Sequence, residues 1–438
     1  MAEEPQKIPQ ELKLAGPGTL KGALTPPGDK SVSHRVLLLG ALAEGETEGL
    51  RMAPGRDVKS TARCLEELGV AVEWFEEDGQ ESVRVGGRGI GRLKEPSSPL
   101  DAGNSGTLTR ILAGILAGHP FRSRLDGDES LRERPMERIA KPLREMGAVV
   151  GTREGRPPLE IEGGDLEGIS YRPQVASAQV KSCLLLAGLH ARGETTVIEP
   201  GPSRDHTERL LQAAGYPVSV EGRKVTVRGP EELRPLRMKV PGDFSSAAFF
   251  LAGAALSGES ELLLEGVGLN ETRTGFLDLL EKMGLSVQRK KEKVEGGEPR
   301  GDLLVRGGSL EGIEVDGEQV VRAIDELPLL AVVATAAEGR TVVREAEELR
   351  VKETDRIAAI VEGLSRMGAK IEAHPDGFSV EGPCQLRGAS VRSFSDHRIA
   401  MSLAIASLRA EGETLIRGAQ WIETSYPAFV DHLQELRK

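Results

Sequence analysis

Cysteine is scarce in this chain. Cys64, Cys183 and Cys384 are its only three, far apart and with no Cys-x-x-Cys pair. Neither a disulfide framework nor a thiolate metal site is expected, and a reducing cytoplasm fits. No apolar run reaches about 18 residues, the length that would suggest a membrane span. The polar start, Met1–Gln10, reads as neither a secretory signal nor a transit peptide. Positive charge is not in excess. Lys and Arg number 57 against 68 Asp and Glu, a formal net charge of −11. Nonspecific nucleic-acid binding is therefore not expected, and any anionic ligand must be held by a local cluster of cations. Asparagine occurs only at Asn104 and Asn270. Avoidance of thermolabile amides or a GC-rich coding sequence accounts for this equally well.

What the chain does have is length for two or three domains, 438 residues, and one cadence repeated along it. A polar signature precedes an apolar run, and a glycine step ends the run. Gly28-Asp-Lys-Ser-Val-Ser-His-Arg35 leads into Val36–Leu42 and Gly45. Asn104-Ser-Gly-Thr-Leu-Thr-Arg110 leads to Gly118, and Ala176-Ser-Ala-Gln-Val-Lys181 to Gly193. Gly242-Asp-Phe-Ser-Ser246 leads to Gly258, Ile324-Asp-Glu-Leu-Pro328 to Gly339, and Ser395-Asp-His-Arg398 to Gly412. The six glycines are spaced 65 to 81 residues apart.

A second helix follows in each copy. Asp57–Gly69 has apolar Val58, Ala62, Leu65 and Leu68 on one face and charge on the other, which predicts a surface helix. Short alternating strands follow at Ser82–Val85, Val225–Val227, Leu303–Val305 and Phe378–Val380. Each unit thus reads as strand, enclosed helix, strand, surface helix, strands. Six enclosed helices are too many for one core. Three per domain predicts an α/β protein of two similar domains, with a break near Arg237–Gly242. The strands within Glu11–Thr25 precede the first unit and are free to complete the other domain.

The signatures fall at helix N-termini, which carry unpaired N–H groups and partial positive charge. They hold Lys30, Arg35, Arg134, Arg204, Lys352, Arg356 and Arg398. Arg pairs bidentately with phosphate or carboxylate, and Lys serves as a point charge or proton donor. So many cations suggest substrates with more than one anionic group. Asp325 and Glu353 lie among them, where acid and base groups are tuned. Each motif alone has a plainer reading. His397 reads as packing or capping, Cys183 as core, and Met136, Met146, Met283 and Met367 as helix packing. Recurrence in register is what favours function.

Eight motifs in order, Gly28-Asp-Lys-Ser-x-Ser-x-Arg35, Gly103-Asn-Ser-Gly-Thr107, Arg134-Pro-Met136, Ser177-Ala-Gln179, Arg204-Asp-His-Thr207, Asp325-Glu-x-Pro328, Arg350-Val-Lys-Glu-Thr-Asp-Arg356 and Asp396-His-Arg398, resemble the 5-enolpyruvylshikimate-3-phosphate synthase family. The resemblance runs from Gly28 to Phe429. It implies two inside-out α/β barrel domains, each of three βαβαββ repeats with enclosed helices. Residues 28–240 would form the shikimate 3-phosphate side. Residues 1–27 and 241–438 would form the phosphoenolpyruvate and catalytic carboxylate side, with the active site in the cleft between. The implied reaction transfers the enolpyruvyl group of phosphoenolpyruvate to the 5-hydroxyl of shikimate 3-phosphate and releases phosphate, with no cofactor or metal.

The resemblance also implies roles. Lys30, Ser31, Arg35, Ser177, Ala178 through its backbone, Gln179, Arg204, Asp325 and Lys352 would hold shikimate 3-phosphate. Lys30, Gly106, Arg134, Gln179, Arg356 and Arg398 would hold phosphoenolpyruvate. Lys30, Asp325 and Glu353 would divide the proton transfers. A cytoplasmic monomer without nucleic-acid or membrane partners is expected. Two positions depart from the pattern. Glu423-Thr-Ser-Tyr-Pro427 lacks a lysine common in the family, and Glu348 replaces an asparagine. Gly106 leaves room where some relatives carry an alanine associated with glyphosate tolerance, so glyphosate should compete with phosphoenolpyruvate. Three rivals fit less well. A transferase acting on UDP-N-acetylglucosamine usually has Asn after the first lysine and a loop cysteine; here Ser31 follows Lys30, and Gly127–Met136 has no cysteine. An RNA 3′-phosphate cyclase needs a nucleophilic His, and a non-catalytic anion-binding repeat protein would not need Asp325 and Glu353.

Overall fold

The computed structural model describes residues 7–438. The six residues before them, part of the polar start and of the span 1–27, lie outside the described residues. The six apolar runs are helices: Lys30–Leu42, Gly106–Ala117, Ala178–Gly188, Phe244–Ala255, Leu327–Ala334 and His397–Ser407. Almost every residue in them is buried, as expected of helices with no polar face. Asp29, Ser105, Ser177, Asp243 and Asp396 cap five of them, each side chain accepting from a backbone N–H of the first turn. The remaining helix starts after Glu326, with Pro328 in its first turn instead of a side-chain cap.

The amphipathic second helices are Arg56–Glu67, Glu137–Glu145, His206–Ala213, Gly275–Lys282, Arg356–Arg366 and Phe429–Leu436. The first five stop near a glycine with positive φ, Gly69, Gly147, Gly215, Gly284 and Gly368. Those backbones are left-handed, and glycine takes that conformation without the Cβ penalty.

Each repeat folds around a small mixed sheet. In the third, Ser170–Tyr171 runs parallel to Gly193–Ile198, the partner across the enclosed helix. Gly193–Ile198 then pairs antiparallel with Lys224–Gly229, which pairs with Val218–Glu221. Among the described residues the same four-strand order recurs in five of the six sheets, with two exchanges at the chain's breaks, and the last sheet has three strands. The leading strand of the first repeat's sheet is Arg237–Lys239, parallel to Glu44–Leu50. The leading strand of the fourth is Lys21–Leu24, parallel to Glu261–Gly268. Glu11–Gly16 completes the last sheet by pairing antiparallel with Gly412–Arg417.

The chain therefore divides into two compact units. One comprises Gly28–Val240 and Val294–Glu298. The other comprises the described residues up to Pro27, Pro241–Lys293 and Pro299–Lys438. Each unit has its own apolar core, built mainly from its three enclosed helices and the inward faces of its sheets. Cys64, Cys183 and Cys384 are free and buried. Burial pushes the Cys64 thiol up to about 12 and raises Cys183 as well, so neither is a nucleophile.

Candidate active site

In the unit of residues 28–240, the first signature sits on the opening turn of its helix. Lys30 Nζ lies 3.1 Å from Asp57 Oδ2, in the first turn of the following surface helix. One turn on, the Arg35 side chain passes into the interior and is 3% exposed. Its Nε donates to Thr207 Oγ1 at 2.7 Å, Nη2 to Ser182 Oγ at 2.8 Å, and Nη1 to the Ser31 carbonyl at 2.9 Å. These partners are neutral oxygens. Burial pushes the Arg35 pKa down to about 10, with Glu208, Asp29 and Glu298 pulling back and Arg204 adding to the fall. A guanidinium held by neutral groups beside a second one is ready for an anion. Ser33 and His34, in the same signature, have ordinary duties. Ser33 Oγ accepts from Ala53 N at 2.9 Å, and His34 Nδ1 pairs with Thr61 Oγ1 at 2.7 Å.

A second group gathers around the helix starts at Gly106 and Ala178. The Gln179 amide is fixed at both ends. Its oxygen accepts from Arg110 Nη1 at 2.6 Å, and its nitrogen donates to Thr107 Oγ1 at 2.9 Å. Arg110 also donates to the Pro135 carbonyl at 3.1 Å. Arg134 Nη2 donates to Asn104 Oδ1 at 2.5 Å, and Asn104 Nδ2 donates to Asp128 Oδ2 at 2.7 Å. Gly106 lies where the two guanidiniums meet. A Cβ there would stand 3.0 Å from Arg134 Nη1 and 3.1 Å from Arg110 Nη1. Ser177 caps the third helix with its hydroxyl 3.4 Å from Val180 N, so the free N–H groups ahead, at Ala178 and Gln179, are those an anion would use. On that helix, buried Lys181 lies 2.8 Å from Glu199 and 2.7 Å from Glu208. These carboxylates flank the segment carrying Arg204. Burial works against the Lys181 charge, but Glu208 and Glu199 outweigh it and hold the ammonium protonated.

The other unit builds its cluster from carboxylates. Asp325 stands two residues ahead of the helix Leu327–Ala334. Its Oδ1 is 3.4 Å from Arg356 Nη1 and 3.5 Å from Lys352 Nζ. Its Oδ2 is 3.9 Å from Arg398 Nη2 and 4.0 Å from Arg273 Nη1. Glu353 Oε2 accepts from Arg356 Nη2 at 2.6 Å, and Asp396 Oδ2 accepts from Arg356 Nε at 2.8 Å. Arg356 is 1% exposed. Burial opposes its charge, but Asp396, Glu353 and Asp325 outweigh that and raise its pKa. Arg398 Nη1 donates to Glu326 Oε1 at 3.1 Å and to the Asp325 carbonyl at 3.3 Å.

Each unit thus collects the sequence-predicted residues that belong to it. Lys30, Ser31, Arg35, Gly106, Arg134, Ser177, Ala178, Gln179 and Arg204 lie on one; Asp325, Lys352, Glu353, Arg356 and Arg398 lie on the other. Sequence reasoning missed the residues that hold them. Asn104 and Asp396 lay inside quoted motifs, but their roles depend on side-chain direction. Arg110, Lys181, Ser245 and Glu326 lie inside the signatures too, and Asp57 opens a surface helix, but none was given a role; Arg273 lies outside every motif. Glu348, at the position that departs from the family pattern, is exposed.

The sequence profile of EPSP synthase (3-phosphoshikimate 1-carboxyvinyltransferase) matches residues 14–433. The chain belongs to the EPSP synthase family. It is 51% identical over 430 residues to the 3-phosphoshikimate 1-carboxyvinyltransferase of Synechococcus sp. (strain JA-3-3Ab), covering 97% of this chain and 96% of that one. It is 49% identical over 427 residues to the enzyme of the same name from Desulfitobacterium hafniense, covering 97% of each. Among solved structures, EPSP synthase from Acinetobacter baumannii superposes with a TM-score of 0.87 at 45% identity, covering 97% of this chain and 98% of that one. The enolpyruvyl transferase NikO from Streptomyces tendae superposes with a TM-score of 0.79 at 19% identity, which shows the shared fold alone. The fold is α/β, with the helix-enclosing repeats described above. Among the described residues no helix is long and apolar enough to cross a membrane.

Proposed function

We propose that this protein transfers the enolpyruvyl group of phosphoenolpyruvate to the 5-hydroxyl of shikimate 3-phosphate and releases phosphate. Full-length membership of the EPSP synthase family carries this reading. The product lies on the shikimate route to the aromatic amino acids. The residues fit the chemistry. Arg35 and Arg204, with Ser31, Lys352, Ser177, Gln179 and the N–H of Ala178, bind shikimate 3-phosphate. Arg134, Arg356 and Arg398, with Gly106, bind phosphoenolpyruvate. Lys30 and Gln179 serve both, and the two clusters act on one substrate pair.

The bonds then change as follows. The 5-hydroxyl oxygen attacks C2 of phosphoenolpyruvate and gives its proton to Asp325. C3 takes a proton from Glu353 or Lys30, which forms a tetrahedral adduct. A C3 proton then returns to the group that supplied it as the C–O bond to phosphate breaks, which restores the double bond and releases phosphate. The adduct and its collapse pass charge to oxygens, which suits fixed guanidiniums better than reorienting water. The protein acts as a cytoplasmic monomer, with small molecules as its partners.

The test is phosphate release on mixing the protein with both substrates. Release should require both, and UDP-N-acetylglucosamine should not replace shikimate 3-phosphate. Release with the nucleotide sugar instead would overturn the reading. Millimolar glyphosate should compete with phosphoenolpyruvate, because Gly106 leaves the space beside Arg134 open.

A further inference from the structure

Asn270 is one of only two asparagines in the chain, and no motif includes it. Its side-chain oxygen accepts from Thr272 N at 3.0 Å and from Thr272 Oγ1 at 2.7 Å, and its carbonyl accepts from Arg273 N at 2.8 Å. This is an Asx-type turn, a local geometry asparagine favours. It leads the chain into the helix Gly275–Lys282 and delivers Arg273 to the interior.

The Arg273 side chain is 4% exposed and faces four oxygen-bearing groups. Its Nη2 donates to Ser245 Oγ at 2.5 Å and lies 3.5 Å from Asp243 Oδ1. Its Nη1 lies 3.6 Å from Glu326 Oε1 and 4.0 Å from Asp325 Oδ2. Ser245 Oγ also accepts from Arg398 Nη2 at 3.0 Å and donates to Glu326 Oε1. One hydroxyl and one carboxylate are therefore shared between Arg273 and Arg398.

Resting on the function proposed above, we infer that Arg273 is a positioning residue for the phosphoenolpyruvate half of the site. It holds Ser245 and Glu326 in the places from which they aim Arg398, and it shares the charge of Asp325. Charge balance supports this. The cluster contains the carboxylates of Asp243, Asp325, Glu326, Glu353 and Asp396 against the cations Arg273, Lys352, Arg356 and Arg398. It is already short of positive charge before an anionic substrate arrives. Removing Arg273 deepens that deficit and leaves Glu326, 1% exposed, with less compensation. The effect should fall on phosphoenolpyruvate and turnover, since the residues assigned to the shikimate phosphate lie mostly on the other unit.

The test is steady-state kinetics of phosphate release on the full chain, with the wild type alongside. Arg273→Met should raise KM for phosphoenolpyruvate about tenfold and lower kcat at least about tenfold, with KM for shikimate 3-phosphate unchanged. Arg273→Lys, which keeps the charge but loses the fork, should recover part of the loss. Ser245→Ala, a small change in volume, should give the same split in weaker form even if Arg273→Met does not fold. Arg273→Met or Ser245→Ala leaving KM for phosphoenolpyruvate at the wild-type value would overturn the inference. Equal rises in both KM values, unimproved in Arg273→Lys, would also overturn it by marking a general structural role. A wild type that releases no phosphate would sink the functional reading instead.

Discussion

Arg35 and Arg356 are both buried arginines close to a helix start, one in each unit, yet their surroundings push them in opposite directions. Arg35 is held by Thr207, Ser182 and a carbonyl, and burial brings its pKa down to about 10. Arg356 is held by Asp396, Glu353 and Asp325, which overcome burial and raise its pKa. The first charge is left largely for a ligand. The second is already engaged by carboxylates. Under the proposed function, the first unit would hold a phosphate and the second would move protons while gripping an anion. Like folds thus surround their buried arginines differently, with neutral oxygens on Arg35 and carboxylates on Arg356.

The strongest way to break this contrast is at Glu353. Glu353→Gln should lower turnover about a thousandfold, the scale of a lost acid/base group, as read by phosphate release. Turnover within tenfold of wild type would remove Glu353 from proton transfer. A smaller effect sharpens the picture on the other unit. Gly106→Ala places a methyl 3.0 and 3.1 Å from the tips of Arg134 and Arg110, which must each give by a few tenths of an ångström. KM for phosphoenolpyruvate should rise about fivefold, and the inhibition constant for glyphosate should rise more. Equal inhibition of the variant and the wild type would show that Gly106 does not face the inhibitor.

The smallest effect is in pH. The folded chain holds the Arg35 proton less tightly than the unfolded chain. Above about pH 10 the unfolded state therefore binds more protons, and this group's contribution to stability rises with pH. Binding runs the other way, because the phosphate needs the charged form. The kcat/KM for shikimate 3-phosphate should halve, by about twofold, as pH reaches the Arg35 midpoint, while Arg356 stays charged. A profile flat past pH 11, about one unit above that midpoint, would mean the Arg35 charge is better supported than its neutral partners suggest.

Much of this was legible in the sequence because it repeats. Six apolar runs bounded by caps and glycines gave the enclosed helices, and the stop at Gly69 gave the end of the first surface helix. The cations were legible because they sit at or near helix starts. The partners were not. Asp57, Arg110, Arg273 and Glu326 meet the site through tertiary packing, and a residue's distance along the chain says nothing about which way its side chain turns. Arg273 is the clearest case, since only the turn at Asn270 brings it inward. Arg356 shows the converse. Its motif suggested an open anion contact, and only the fold reveals three carboxylates around it.

Equilibrium binding of shikimate 3-phosphate to two variants tests the division between the units most directly. Arg35→Met should weaken binding about a hundredfold, the loss of a charge-assisted bidentate contact, while Glu353→Gln binds as the wild type does. Equal weakening in both variants would contradict the account.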